Sequence, residues 1–259
     1  RLDCSKSSQY LSALLMIGAF MTHSLTIELT GPPVSSPYID LTLDVMRQFQ
    51  VTAFRINDTT YQVPGGQQYL PGDHGVEPDL SNAGYFWAAG AITGQKIGVA
   101  HIRPDSLQGD LKQIHILEKM GCDLFFEDQA VSVKGRQLQA VDVDMSDTPD
   151  AVPAIAVVAA FAKGTTRIRN IRHLREKESD RIDAVTSQLE KMGIRTDQGE
   201  DWLSVTGGVP EGAVINTFND HRIAMAFAVA GLKVPGMQIE NEACVGKSFP
   251  GFWDVFDAL

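Results

Sequence analysis

The chain has 259 residues, of which 44% are hydrophobic and 21% are charged, so it can form a substantial core and is neither disordered nor a small disulfide-stabilised domain. Its formal net charge of −10 argues against a nucleic-acid-binding surface and against attraction to acidic membranes. Any anionic ligand must therefore meet a local group of cations.

The cysteines and the apolar runs indicate in which cellular compartment the protein is expected. Cys4, Cys122 and Cys244 are odd in number and widely separated, which is typical of a reducing compartment and argues against a zinc site. The longest apolar runs, 10–21 and 151–162, fall short of the roughly 18 residues that a membrane-spanning helix needs. We therefore expect a cytoplasmic protein with no metal site and no membrane partner.

A repeat of about 70 residues organises the chain. Four polar clusters, which begin at residues 7, 81, 150 and 220, each precede an Ala-rich helix, and their starts are 74, 69 and 70 residues apart. A short β-branched strand, a second amphipathic helix and two more strands follow. In chain order the clearest predicted elements are helix 11–20, strand 25–29, helix 85–92, strand 96–99, helix 109–120, helix 153–162, strand 165–169, helix 180–192, strands 194–196 and 202–205, helix 223–230 and strand 237–239.

These elements predict an α/β fold of repeated β-α-β-α-β-β units, used three times after an incomplete first copy. The polar stretch 65–79 contains several glycines and prolines and is the best candidate for a linker, with a boundary near residue 77. Residues 1–76 then hold about one repeat and residues 77–259 about two and a half. Because one repeat is too small to be a whole repeat-built domain, we expect a further segment upstream.

Hydroxyl and carboxylate groups stand before two of the predicted helices, where free backbone N–H groups and the helix dipole favour anions. Ser7, Ser8 and Gln9 can form either a neutral phosphate-binding turn or an ordinary helix cap with an exposed neighbour. Asp150 precedes an apolar helix and can be either a functional carboxylate or only its N-cap. Composition alone leaves both alternatives open.

Two charged runs allow a similar choice. The run 172–181 is either a solvated face or a group that supplies a phosphate ligand, a titratable carboxylate and a forked guanidinium at a helix start. In the run 219–222, Asn219 or Asp220 caps the next helix, and His221 and Arg222 either face solvent or face a bound anion.

Six ordered segments resemble the EPSP synthase family of enolpyruvyl transferases. They are SSQYLSALLM at 7–16, SSPYID at 35–40, PD at 149–150, KESDR at 177–181, NDHRIAM at 219–225 and KSFP at 247–250. The resemblance covers essentially the whole chain, and six motifs in order are far more specific than any one of them. It implies a two-domain enzyme in which each domain has three repeats and substrates are held between the domains.

The resemblance implies transfer of the enolpyruvyl group of phosphoenolpyruvate to the 5-hydroxyl of shikimate 3-phosphate, with release of phosphate and without a metal or organic cofactor. For shikimate 3-phosphate the matching positions are Ser7, Ser8, Ser35, Tyr38, Asp150, His173 and Lys177, although His173 stands where relatives often have Asn. For phosphoenolpyruvate they are Gln9, Arg181, Arg222 and Lys247. Asp150 would accept the proton of the attacking hydroxyl, and Glu178 would donate one.

By comparison with the family pattern, the chain begins about two fifths of the way along the family's sequence. Residues 1–76 would then be the last repeat of the upper domain, and residues 77–259 would be most of the lower domain. We expect the N-terminal segment in a longer protein or as a second chain that acts as a partner. Two other functions stay open: a non-catalytic fragment that binds anions or a partner chain, and the sister enolpyruvyl transferase that acts on a nucleotide sugar.

Overall fold

The computed structural model describes residues 1–103, 105–127 and 129–259. The chain forms two compact units, each of which is described by itself. Unit 1 comprises Arg1–Glu77 and Asp105–Gly109, and unit 2 comprises Pro78–Pro104 and Asp110–Leu259. The identification of these units as parts of an upper and a lower domain stays a prediction.

Unit 1 has two helices on one antiparallel sheet. They are α1 (Gln9–Gly18) and α2 (Pro37–Gln48), and the strands are β1 (Leu25–Glu28), β2 (Phe54–Asn57) and β3 (Thr60–Val63), in the order β1-β3-β2. The two helices pack together over a core of fully buried side chains that includes Leu11, Leu15, Ile39, Tyr61 and Val63.

Unit 2 contains the remaining elements. They are α3 (Leu80–Thr93), β4 (Ile97–Val99), α4 (Lys112–Lys119), β5 (Asp123–Glu127), β6 (Ala130–Lys134), β7 (Asp142–Asp144), α5 (Val152–Ala159), β8 (Thr165–Arg169), α6 (Arg181–Lys191), β9 (Arg195–Gln198), β10 (Trp202–Thr206), β11 (Val214–Ile215), α7 (His221–Gly231), β12 (Gln238–Ile239) and α8 (Phe252–Phe256). Its sheets have the strand orders β4-β6-β5, β7-β8-β10-β9 and β11-β12.

The repeat is visible in the strand pairing. A helix, a strand, a second helix and an antiparallel hairpin recur as α1–β3, α3–β6 and α5–β10. The strand before the first helix pairs in parallel with the strand after it, as β7 does with β8 and β11 with β12. An isolated parallel bridge between Leu2 and Leu29 marks the same place in unit 1. The α/β fold of β-α-β-α-β-β units predicted from the sequence is therefore confirmed.

The first helices of the three repeats form the core of unit 2. Helices α3, α5 and α7 pack against one another, and all eight residues of α5 are buried. Their many alanines allow the helix backbones to approach closely. The polar residues at the starts of α5 and α7 are therefore held by a packed core. No helix in the described part of the chain is long and apolar enough to cross a membrane.

Candidate active site

The hydroxyl residues of unit 1 lie where α1 and α2 begin. The Ser8 hydroxyl donates to the carbonyl oxygen of Ser35 at 3.4 Å, so the structure brings these two predicted residues together. The Ser7 hydroxyl accepts from the backbone N–H of Gln9 at 3.2 Å, whereas Ser8, the N-cap residue, makes no capping bond with its side chain. The exposed Gln9 side chain begins the helix.

Ser35 lies just before α2, and Tyr38 lies in its first turn. Ser35 is buried and adopts a left-handed backbone conformation with φ of +53°, which is uncommon for a residue with a Cβ atom. Its carbonyl oxygen also accepts from the backbone N–H of Tyr38 at 3.1 Å, which fixes the turn. Strained, buried polar backbone of this kind is more frequent at functional sites than elsewhere.

In unit 2, Arg181 is the centre of an ion network. It is the first residue of α6, and its side chain is 1% exposed. Its guanidinium donates to Asp150 Oδ1 at 2.7 Å, to Glu178 Oε2 at 2.6 Å and to Asp220 Oδ2 at 2.8 Å. Burial alone would lower the pKa of Arg181, but the charges of Asp220 and Asp150 outweigh it, so the pKa is raised. Arg181 is therefore a buried, permanently charged cation held by three carboxylates.

Asp150 links the starts of two helices. It lies in the short 3-10 helix Pro149–Ala151, and Arg222 Nη2 donates to its second carboxylate oxygen at 2.8 Å. Burial acts to raise the pKa of Asp150, but the charges of Arg222, Arg181 and Lys177 lower it below its ordinary value. The N-cap alternative for Asp150 is wrong, because Ala151 is the N-cap residue of α5 and no side chain caps that helix.

Asp220 is fully buried and has two roles. Its carboxylate caps α7 by accepting from the backbone N–H of Arg222 at 2.9 Å, as the sequence predicted for Asn219 or Asp220. The same carboxylate accepts from Arg181 and, at 3.0 Å, from the hydroxyl of Ser179. The helix cap thus also orients the central guanidinium, a role that the local sequence pattern does not reveal.

Glu178 and Lys247 form the more accessible side of the network. Lys247 ends the 3-10 helix Glu242–Lys247, and its ammonium group is paired with Glu178 Oε1. The Lys247 side chain is 56% exposed and that of Glu178 is 28% exposed. Burial acts to raise the pKa of Glu178, but the hydrogen bond from Lys247 and the charge of Arg181 lower it to about 2. Glu178 is therefore ionised at neutral pH in this structure.

His173 and Lys177 lie beside this network. His173 is buried in the 3-10 helix Arg172–Glu176, and its Nε2 has no hydrogen-bond partner within the described ranges. Burial and the charge of Lys177 lower the pKa of His173 to about 4, so its ring is neutral at pH 7. Lys177 also acts on Asp150. His173 can thus offer a phosphate a neutral N–H but not a positive charge.

The network as a whole balances three cations, those of Arg181, Arg222 and Lys247, with three carboxylates, those of Asp150, Glu178 and Asp220. Among the described residues, no group of three or more His, Cys, Asp or Glu side chains is arranged to hold a metal ion. The cations are instead available to an anionic ligand that can share or displace their carboxylate partners.

Two solved structures that resemble this chain are those of an EPSP synthase and of another enolpyruvyl transferase. EPSP synthase from Acinetobacter baumannii superposes with a TM-score of 0.83 at 27% identity, over 99% of this chain and 61% of that protein. The enolpyruvyl transferase NikO from Streptomyces tendae superposes with a TM-score of 0.77 over 97% of this chain and 59% of that protein, and its 20% identity indicates the fold alone.

The sequence comparisons are more specific. The family model for EPSP synthase (3-phosphoshikimate 1-carboxyvinyltransferase) matches residues 1–256, so the chain belongs to that family. Relatives named 3-phosphoshikimate 1-carboxyvinyltransferase are 42% identical in Nostoc punctiforme, over 98% of this chain, and 44% identical in Syntrophobacter fumaroxidans, over 99% of it. The chain spans 60% and 62% of the lengths of these two relatives.

Proposed function

We propose that the chain is the larger part of an enzyme that transfers the enolpyruvyl group of phosphoenolpyruvate to the 5-hydroxyl of shikimate 3-phosphate and releases phosphate. The observation that carries this proposal is the convergence of Asp150, Glu178, Arg181, Arg222 and Lys247 in one ion network. These residues come from four of the six motifs that resemble the family. Membership of the family supports the same reaction.

Phosphoenolpyruvate would bind to Arg181, Arg222 and Lys247. Its carboxylate suits a forked guanidinium, and its phosphate suits a compact ammonium group. Because Lys247 and Glu178 are the more exposed members, the ligand would approach from their side and would compete with Glu178 for Lys247. Gln9 of unit 1 is assigned to the same ligand by its motif.

The family motifs assign to shikimate 3-phosphate the hydroxyl groups of Ser7, Ser8 and Ser35, Tyr38 against its ring, and Lys177. His173, which is neutral, would add at most a hydrogen bond to this substrate. Hydroxyl and backbone N–H groups at the start of a helix are suitable ligands for a phosphate.

The two carboxylates would exchange protons with the substrates. Asp150 is ionised and can accept the proton of the attacking 5-hydroxyl. Glu178 can donate a proton only after its pKa has risen well above about 2. Phosphoenolpyruvate would produce that rise, because its negative charges would draw Lys247 and Arg181 away from the Glu178 carboxylate. Substrate binding would therefore prepare the acid.

The rest of the relatives' length would supply further ligands for both substrates, either in a longer protein or as a second chain. A cytoplasmic location is part of the same proposal. It is supported by the three free cysteines, of which Cys122 is buried and has its pKa raised by burial to about 12.

The proposal is tested by phosphate release from phosphoenolpyruvate and shikimate 3-phosphate. The chain is assayed alone and with a separately expressed N-terminal region from one of the relatives. We expect release in at least one mixture, and we expect Asp150→Asn and Glu178→Gln to reduce it about a hundredfold or more. Asp142→Asn is the matched control, because Asp142 lies in an exposed ion pair with Arg169.

Three outcomes would overturn the proposal. Phosphoenolpyruvate binding without release in either mixture would indicate a non-catalytic anion-binding fragment. Release that does not depend on shikimate 3-phosphate but occurs with a nucleotide sugar would indicate the sister reaction. Release that survives both carboxylate substitutions would remove Asp150 and Glu178 from the chemistry.

A further inference from the structure

The guanidinium of Arg222 is held on one side only. Its Nη2 donates to Asp150 Oδ2 at 2.8 Å, whereas Nε and Nη1 are buried and have no hydrogen-bond partner among residues 1–103, 105–127 and 129–259. Buried N–H groups of a charged side chain are costly to leave unpaired. The ion network does not explain how Nε and Nη1 of Arg222 are accommodated in the interior.

Tyr85 is a neutral polar residue whose hydroxyl interacts with the Arg222 guanidinium. It lies on α3, which packs against α7, and its side chain is 1% exposed. The Tyr85 hydroxyl is buried and, like Nε and Nη1 of Arg222, lacks a hydrogen-bond partner in the described part of the chain. An edge-on contact with Phe252, with ring centres 6.2 Å apart at 80°, holds the ring.

Tyr85 and Arg222 affect each other's pKa. Burial raises the pKa of Tyr85 to about 12, and the charge of Arg222 acts on it in the opposite direction. The phenol is therefore neutral at pH 7. The other groups that act on Arg222, Asp150 and Asp110, are carboxylates. A third carboxylate in the place of the Tyr85 hydroxyl would neutralise Arg222 further, whereas a hydroxyl can accept a hydrogen bond and leave the positive charge available to a ligand.

We propose that Tyr85 is a positioning residue of the anion site, whose hydroxyl accepts a hydrogen bond from the Arg222 guanidinium and so fixes the orientation in which Nη2 meets Asp150 and the ligand. The identification of this ligand as phosphoenolpyruvate rests on the proposed function. Tyr85 itself does not touch the ligand, and it acts through Arg222.

The first test needs no ligand. Nuclear magnetic resonance of the chain labelled with 15N at arginine follows hydrogen exchange of the Arg222 Nε–H, which is assigned by its loss in Arg222→Lys. We expect Tyr85→Phe to accelerate that exchange about tenfold or more, because the ring remains and only the acceptor is lost. The matched control is Tyr61→Phe, which removes the hydroxyl of an equally buried tyrosine in unit 1. Unchanged exchange in Tyr85→Phe would overturn the proposal.

The second test measures the dissociation constant of phosphoenolpyruvate in the presence of shikimate 3-phosphate. We expect Tyr85→Phe to raise it about ten- to a hundredfold, which is the range for a lost hydrogen bond to a charged group, and Tyr61→Phe to leave it unchanged. In an Arg222→Lys background Tyr85→Phe should have no further effect. If Tyr85→Phe weakened phosphoenolpyruvate binding equally in the Arg222→Lys background, Tyr85 would act by stabilising the fold and not by positioning Arg222.

The two tests separate the two proposals. Faster exchange of the Arg222 Nε–H in Tyr85→Phe together with no phosphoenolpyruvate binding by the unsubstituted chain would support the positioning role and count against the proposed function. Normal phosphoenolpyruvate binding by Tyr85→Phe would refute the positioning role and leave the proposed function intact.

Discussion

The fully buried carboxylate of Asp220 offers a sharp test of the ion network. Asp220→Asn keeps the size of the side chain and one acceptor oxygen for the cap of α7, but it removes the negative charge beside Arg181. The side chains of Asp220 and Arg181 are 0% and 1% exposed. Water therefore cannot replace the lost charge, and among the described residues the guanidinium keeps only Asp150 and Glu178 as ion-pair partners.

The size of the effect follows from that burial. Removal of one partner from a buried ion pair typically costs about 3–5 kcal/mol, because the other charge is left uncompensated. Since two carboxylates remain at Arg181, we expect the lower end of that range, about 3 kcal/mol. With a urea dependence of about 2 kcal/mol per molar, the unfolding midpoint should fall by about 1.5 M.

Tryptophan fluorescence during urea unfolding is the assay, because Trp87, Trp202 and Trp253 all lie in unit 2 and report on that unit alone. Asp142→Asn, in an exposed pair, should change stability by less than about 0.5 kcal/mol. Adding Arg181→Met to Asp220→Asn should recover part of the loss, because the uncompensated charge is then removed. A loss below about 1 kcal/mol in Asp220→Asn alone would refute the reasoning.

Two further predictions concern packing and pH. A Cβ atom on Gly207 would overlap the carbonyl oxygen of Ala162, so we expect Gly207→Ala to lower the free energy of unfolding by about 2 kcal/mol or more, measured as a lower urea midpoint. Gly246→Ala is the control, because there is open space around Gly246, and it should change the midpoint little. Equal midpoints in the two variants would contradict this prediction. The pKa of Glu178 is lowered from 4.5 to about 2, so its contribution to stability is present above about pH 4.5 and is lost as the pH falls towards 2. Urea unfolding across that interval should therefore show a shallower loss of stability in Glu178→Gln than in the unsubstituted chain, and parallel curves would show that the ion pair does not stabilise the fold.

The sequence predicted helices and strands well, because their formation depends mainly on residues that are neighbours in sequence. The predicted helix 180–192 corresponds to α6 (Arg181–Lys191), which follows the N-cap residue Asp180 and ends shortly before Gly193, whose φ is +74°. The repeat predicted the order of helices and strands, and the structure adds the parallel pairing of the strands on either side of α5 and of α7.

The partners within the ion network could not be predicted in the same way. Asp150 and Arg222 are 72 residues apart in sequence, and no local pattern joins them. For Asp150 the local sequence allowed a helix cap or a functional carboxylate, and the structure gives it two guanidinium partners. The role of Tyr85 had no signal at all, because a tyrosine in an apolar helix looks like any other core residue.

The network also bears on the history of the chain. Asp150, Glu178 and Arg181 belong to the repeat that runs from β7 to β10, whereas Arg222 and Lys247 belong to the next repeat. A single ancestral unit of about 70 residues would have held only part of this arrangement. Before duplication and fusion, such a unit could have assembled the complete set of charges only by the association of identical copies, each contributing some of the charged residues.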